Sequence, residues 1–377
     1  MAASNPTVCI DARGLLARGG TGVATYAAGL AEALAGAGIP VQRLTDAGMG
    51  RGRLRRWLAA VPPGARAAPL ARPGLRVAAD PFRTAQVFFD LHRRFLPLGD
   101  AEPPDVMHWT YPVPLRFRGV PNVFTVHDVI PLQHPALSPI APARLRRLLR
   151  GIGQAAAHVV TVSEASRAAI LAETGWPPAR VTSTLQSVSV GDADPAAPAA
   201  LGLQPGGYFL CAGTIEPRKN IARLIAAHAA SGASALLVLA GPDGWRAAGE
   251  LQGAGPGVRR VPWLPRPALA GLLAGARAVL MPSLAEGFGL PVAEAMALGV
   301  PTLASQGGAL EEVAGGAALL ADPLDVGAMA AAIRRLDGDA GLRAGLAAAG
   351  LRRAAAFTPA AHARRVLDVY ARVLGGA

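Results

Sequence analysis

Short apolar runs alternate along the chain with longer stretches in which apolar residues recur at helical spacing. In the first half, strands are predicted over residues 7–11, 40–46, 105–109, 122–127 and 158–162, and helices over about 23–37, 82–95, 143–156 and 164–174. Residues 47–80, rich in Arg, Pro and Gly, carry no readable pattern. The Ala/Pro/Gly-rich stretch 191–205 is the predicted linker. Beyond it the alternation restarts, with strands over 208–212, 235–240, 258–263 and 278–281 and helices over 221–230, 266–274 and 291–298. Helices cover most of 326–356, and a last one runs over 359–374. Two series of βαβ units predict two parallel-sheet α/β domains facing each other. Such sheets bind ligands at the carboxyl ends of their strands, so the site is expected in the cleft between them.

Bulk properties narrow this picture. A length of 377 residues admits two to three domains, and 51% hydrophobic with 16% charged residues fits well-cored globular domains. No apolar run approaches the ~20 residues that span a bilayer. The N-terminus lacks a basic segment followed by an apolar one, so a cytoplasmic location is expected. Cys9 and Cys211, in strands of different halves, read as buried inert thiols, and no metal-type Cys/His cluster is present. The net charge of +12 is concentrated in three arginine groups. These are Arg51, Arg53, Arg55 and Arg56; Arg93 and Arg94; and Arg144, Arg146, Arg147 and Arg150. Leu145, Leu148 and Leu149 interleave with the last group. Basic, partly amphipathic helices of this kind suit an anionic membrane surface; simple solvated faces are the other reading. With 5% aromatic residues and no nucleic-acid motif, nucleic acid is not an expected partner.

Candidate chemistry centres on Lys219, the single lysine of the chain; every other cationic side chain is arginine. It lies in Gly213-Thr-Ile-Glu-Pro-Arg-Lys-Asn220, directly after a predicted strand. A strand, a glycine turn and a helix with a cation at its start suit an anion. A second segment, Pro282 to Met296, holds Glu286 and Glu294 with seven residues between them. Gly287 and Gly289 break the strand, Pro291 is expected at the first helical position, and Glu294 in the first helical turn. Two carboxylates bracketing free backbone N–H groups can take hydroxyls and phosphate oxygens together, which suits a sugar nucleotide.

These residues resemble retaining glycosyltransferases of family 4. Glu286 to Glu294 fits the family's E-x7-E pattern, Gly213 to Asn220 its phosphate segment, and Thr21 to Tyr26 its N-terminal glycine loop. Val126 to Leu132 resembles a form common among bacterial mannosyl- and rhamnosyltransferases of polysaccharide assembly. The resemblance implies an α/β GT-B fold, with two Rossmann-like parallel-sheet domains facing across a cleft. Residues 1–195 would form the acceptor-side domain and 196–358 the donor domain, with the last helix, about 359–377, packing back on the first. Arg218 and Lys219 would hold the diphosphate. Glu286 would bind donor-sugar hydroxyls with the backbone N–H groups of Phe288, Gly289 and Leu290. Glu294 would accept the ribose hydroxyls, His127 would sit by the transferred sugar, and Gly22 would let backbone approach the phosphates. No metal or other cofactor is implied. The expected donor is a nucleotide-diphospho-sugar, first GDP-mannose, and the expected acceptor a lipid-linked saccharide on the inner face of the membrane. Two departures stand out: Thr214 occupies a position where many relatives carry arginine, and residues 182–194 replace a short Asn-Gly-x-Asp-like loop.

Other readings fit less of the chain. A nicotinamide oxidoreductase could use Gly20-Thr-Gly22 and Asp46, but Thr25 stands where the third glycine belongs. A metal-dependent glycosyltransferase of the other fold would need Asp192-Ala-Asp194, which falls in the predicted linker. An epimerase or hydrolase would share the donor site, and a non-catalytic scaffold would not need Lys219, Glu286 and Glu294 together. His108, at a predicted strand end beside Trp109, is a candidate acceptor contact.

Overall fold

The computed structural model describes residues 5–13, 22–47, 52–62 and 64–375. Gly19, Gly20, Thr21 and Arg51 lie outside the described residues, as do the side chains of Arg53 and Arg55. The first half contributes β1 (Val8–Asp11), β2 (Val41–Asp46), β3 (Arg66–Ala67), β4 (Leu70–Arg72), β5 (Leu75–Ala78) and β6 (Leu96–Gly99). It continues with β7 (Val106–Trp109), β8 (Leu115–Phe117), β9 (Asn122–Thr125), β10 (His158–Thr161) and β11 (Val181–Ser183). Eight of these form a sheet in the order β11-β10-β9-β7-β1-β2-β5-β4, parallel except for the β4–β5 pair. β3, β6 and β8 form a small separate sheet. The second half contributes β12 (Tyr208–Ala212), β13 (Leu236–Ala240), β14 (Val258–Val261), β15 (Ala278–Met281), β16 (Thr302–Ser305) and β17 (Leu319–Ala321). These pair in parallel in the order β14-β13-β12-β15-β16-β17. Strand order reverses between β1 and β7 in one sheet and between β12 and β15 in the other, and such switch points open a crevice.

The unreadable stretch 47–80 folds as helix Arg53–Ala60 and three short strands. Its pattern is hidden because β5 buries Arg76, whose guanidinium is neutralised by Asp100 at 2.6 Å and bonded to Gln42 Oε1 at 2.5 Å. The helix expected to reach residue 95 spans Pro81–His92; Arg93 ends it in a left-handed conformation (φ 55°), and Phe95 leads into β6. The predicted linker is not free chain. It contains a short helix, Ala197–Ala200, packed on helix Arg266–Ala274. There Gly271 comes so close that a Cβ would lie 1.9 Å from the Asp194 carbonyl oxygen.

Helix Pro359–Gly375 packs against helix Gly22–Gly36 of the first half. One apolar core runs from the second sheet through Val366 and Val369 to Leu30, Val8 and Ile10; a second lies on the other face of the first sheet around Phe88, Trp109, Phe124 and Ile152. His108, expected as an acceptor contact, belongs to this packing and is fully buried. Its Nδ1 meets the Tyr370 hydroxyl at 2.6 Å and its Nε2 the Thr125 hydroxyl at 2.8 Å, so neither nitrogen is left for a ligand.

Candidate functional site

β12 ends at Ala212, Gly213 follows, and the chain then makes a single 3-10 turn, Pro217–Lys219, before helix Ile221–Ser231. Lys219 therefore precedes the helix rather than opening it. Asn220 makes the junction in a left-handed conformation, which asparagine tolerates better than most residues. Its amide donates to the carbonyls of Pro282 (3.0 Å) and Pro323 (2.7 Å), tying the turn to the loops after β15 and β17. The turn is thus held against the second candidate segment. Lys219 Nζ lies 2.6 Å from Glu286 Oε1, and Arg218 Nη1 2.5 Å from Glu286 Oε2. Ser283 Oγ also donates to Glu286 Oε1, at 2.9 Å, and Arg218 reaches back to Glu216 at 2.7 Å. Burial pushes the Glu286 carboxyl up, but Arg218 and Lys219 outweigh it and hold it at about 2. For Arg218, burial disfavours the charge while Glu286, Glu216 and Asp128 more than restore it. Glu286 is thus shared by the two cations, and Glu216 supplies Arg218 with a second carboxylate.

The loop after β15 carries Glu286, Gly287, Phe288 and Gly289 into helix Leu290–Ala297. Gly289 adopts φ 103°, and a Cβ there would lie 2.3 Å from Leu310 Cδ2, so only glycine fits. Among the described residues, no protein group accepts from the backbone N–H groups of Phe288, Gly289 or Leu290. Pro291 is the second helical residue, not the first, and Glu294 lies one residue past the first turn because Leu290 already has helical geometry. Glu294 is buried and paired with Arg266 at 2.9 Å. Burial raises its carboxyl above the ordinary range, and Arg266 offsets part of that. Arg266 went unnoticed in the sequence because it opens a different helix; its signal was only proximity to the strand end 258–261.

The first half supplies the facing wall. His127 follows β9, with Nε2 2.9 Å from the Thr110 carbonyl oxygen. An N–H must donate there, which leaves Nδ1 as the acceptor of a neutral ring. Burial lowers its pKa to about 4, with the Thr110 carbonyl partly restoring it, so the ring is uncharged at neutral pH. The ring edge packs on Tyr26, with centroids 4.8 Å apart. Gly22 opens helix Gly22–Gly36, and among the described residues a Cβ there would meet only Leu290 Cδ1, at an ordinary 3.7 Å.

All nine candidate residues, from Gly22 and His127 to Lys219, Glu286 and Glu294, line one cavity of about 450 Å³ between the sheets. It also takes in Trp263 and Leu264 beyond β14, offering an apolar surface for a flat ring. One end of this cleft can hold such a ring and a diol. The middle can hold an anion between fixed cations and free amides, and the far end a hydroxylated group facing His127. Asp192 and Asp194 are not in it. Among the described residues, no group of three or more His, Cys, Asp or Glu is arranged to hold a metal ion. No helix of the described residues is long and apolar enough to cross a membrane.

Comparison with known proteins identifies the family. Residues 20–183 match the family described as Glycosyltransferase Family 4, and residues 206–339 match Glycosyl transferases group 1. The chain is 35% identical over 256 residues to O-antigen chain mannosyltransferase B of Escherichia coli, a match covering 63% of this chain and 66% of that protein. The chain thus spans slightly less than two thirds of that relative. It is 31% identical over 292 residues, 69% of each chain, to D-inositol 3-phosphate glycosyltransferase 1 of Catenulispora acidiphila. Anabaena HepE, solved in complex with UDP-glucose, shares the fold with a TM-score of 0.69 at 16% identity, over 98% of this chain and 100% of that one.

Proposed function

Since the chain belongs to the family 4, group 1 glycosyltransferases and has their GT-B fold, we propose that it transfers a hexose, with retention, from a nucleotide-diphospho-sugar to a saccharide hydroxyl. The observation that carries this reading is the Arg218–Lys219–Glu286 cluster, placed at the switch point of the second sheet beside N–H groups that have no partner among the described residues. In the reaction, the bond from the anomeric carbon to the diphosphate breaks and negative charge grows on the leaving phosphate. Lys219, Arg218 and the Phe288–Leu290 amides meet that charge without reorganising. The incoming diphosphate competes with Glu286 for the two cations, and the carboxylate lone pairs so released accept donor-sugar hydroxyls. The acceptor hydroxyl enters on the face that the phosphate leaves and gives its proton to the leaving oxygen. His127, neutral, accepts a hydrogen bond from the transferred sugar through Nδ1. Glu294, held by Arg266, takes the ribose hydroxyls, and no divalent metal is used.

Mannose from GDP-mannose is the first candidate donor, supported by the likeness to the E. coli mannosyltransferase. The acceptor we propose is a lipid-linked oligosaccharide, with residues 1–195 on its side of the cleft and 196–358 on the donor side. Helix Arg53–Ala60 supports a membrane-facing role, because Leu54, Trp57 and Leu58 are exposed on the half of the molecule that carries the arginine groups. Vesicle flotation is expected to show binding to anionic but not neutral vesicles, weakening as salt rises. The central test is calorimetric titration with GDP, UDP, ADP and NADH, with and without EDTA. Binding of one nucleoside diphosphate, unchanged by EDTA, supports the donor site and names its base. Binding of NADH alone overturns it in favour of hydride transfer.

A further inference from the structure

A set of contacts joins the two walls of the cleft, and the side chains that make it, Ser163, Ser166 and Glu312, belong to none of the family motifs described above. Helix Glu164–Thr174 follows β10 and is capped by Ser163, whose Oγ accepts from the Ser166 N–H at 3.0 Å. The same Ser163 hydroxyl donates to the carbonyl oxygen of Gly287 at 2.7 Å, and the Ser166 hydroxyl donates to that oxygen at 3.0 Å. Both serines are buried, at 0% and 4% exposure. From the second half, Glu312 accepts from the backbone N–H groups of Glu164 and Ala165, one on each carboxylate oxygen, both at 2.8 Å. Gly287 sits tightly between the walls: a Cβ would lie 3.0 Å from the His127 carbonyl oxygen, so a side chain there would press the two walls apart by a few tenths of an ångström.

The Gly287–Phe288 peptide is trans, since the described chain has no cis bonds. A trans peptide points its C=O and N–H in opposite directions. Two hydroxyls that hold the Gly287 carbonyl therefore aim the Phe288 N–H away from themselves, and they polarise it into a stronger donor. We propose that Ser163, Ser166 and Glu312 are positioning residues that close the cleft and orient the Phe288 N–H toward the diphosphate of the donor. The first half thereby completes the anion cradle of the second. Closure and competence become one event, since the amide takes its working direction only when the serines of the opposite wall arrive. The inference rests on the glycosyl-transfer reading for its ligand, and on the hydrogen bonds alone for the latch.

Ser166→Ala removes one of the two hydroxyls and leaves the cap of the helix intact. It is expected to lower kcat about tenfold, less than the roughly hundredfold that outright loss of such a donor costs. Tm and nucleoside-diphosphate Kd should stay within twofold-equivalent limits of the wild type, and Ser166→Thr, which keeps the hydroxyl, should recover most of the rate. Glu312→Ala should speed amide hydrogen exchange at Glu164 and Ala165 and also at residues 287–290. Its kinetic loss should be less than additive with Ser166→Ala, because both act on one closure. Wild-type kcat in Ser166→Ala, or no change in exchange at 287–290 in Glu312→Ala, would overturn the proposal. A wild-type protein that transfers no sugar would sink the glycosyl-transfer reading instead, and the exchange measurement would still decide the latch.

Discussion

The two walls of the cleft solve the problem of burying polar groups in opposite ways. The wall after β12 and β15 buries charges and pairs them: Arg218 and Lys219 with Glu286, and Arg266 with Glu294. The wall after β7 and β9 buries imidazoles that its surroundings keep neutral: burial lowers His127 to about 4 and His108 to about 3. A wall of balanced charge can exchange one anion for another without first creating charge in a dry place. A neutral wall can bind an uncharged sugar without drawing in ions. The difference matches a donor that carries a diphosphate and an acceptor that presents a hydroxyl.

The largest expected effect sharpens that contrast directly. Lys219→Ala should lower kcat by a factor of about a hundred to a thousand with little loss of Tm, because Glu286 keeps Arg218 as a partner. Glu286→Ala should also lose most of its turnover, but with a substantial fall in Tm. Removing it leaves buried Lys219 without its carboxylate partner while Arg218 keeps Glu216, and an uncompensated buried charge of this kind costs about 3–5 kcal/mol. Near wild-type turnover in either variant would take that residue out of the mechanism and make the charged wall a structural device. Next in size, Glu294→Gln should weaken nucleoside-diphosphate binding by about tenfold while leaving kcat at saturating donor nearly unchanged. A loss confined to kcat would move Glu294 from the ribose to the reacting centre.

The smallest effect tests the neutral wall. His108, His127 and His362 have folded pKa values lowered to about 3, 4 and 4. Between about pH 6.5 and pH 4 the unfolded chain takes up protons that the folded chain refuses, so stability should fall as pH drops through that window. Asp11 acts in the opposite direction. Its raised carboxyl holds a proton in the folded state below about pH 6, offsetting part of the loss. Thermal melts should therefore show a lower Tm at pH 5 than at pH 7, while the rate at pH 6 to 8 carries no inflection from His127. A constant Tm across the range would mean that those histidines are not buried as neutral rings.

Much of this was legible in the sequence where the physics is local. The apolar run that became β12 ends at Gly213, and the run that became β15 ends at Pro282 with Gly287 and Gly289 beyond, so Lys219 and Glu286 could be placed after strand ends without coordinates. The alternation of elements likewise revealed two parallel sheets. Contacts made at long range were not legible. Nothing near Glu294 points to Arg266, nothing near Gly287 points to Ser163, and His108 looks like any strand-end histidine until Tyr370 arrives 262 residues later. Residues 47–80 were opaque for another reason: a strand with a buried, paired arginine breaks the apolar pattern on which strand prediction depends.

The return of helix Pro359–Gly375 to the first half has a consequence for how the protein is made. A ribosome delivers residues in order, and domains generally fold as they emerge. Here Thr184 waits 178 residues for His362, and His108 waits 262 for Tyr370. The half that is synthesised first is thus completed last. Until the final helix leaves the exit tunnel, Val8, Ile10 and Leu30 lack the apolar cover that Val366 and Val369 provide. Until residues 359–375 have been made, that face of the first half stays uncovered.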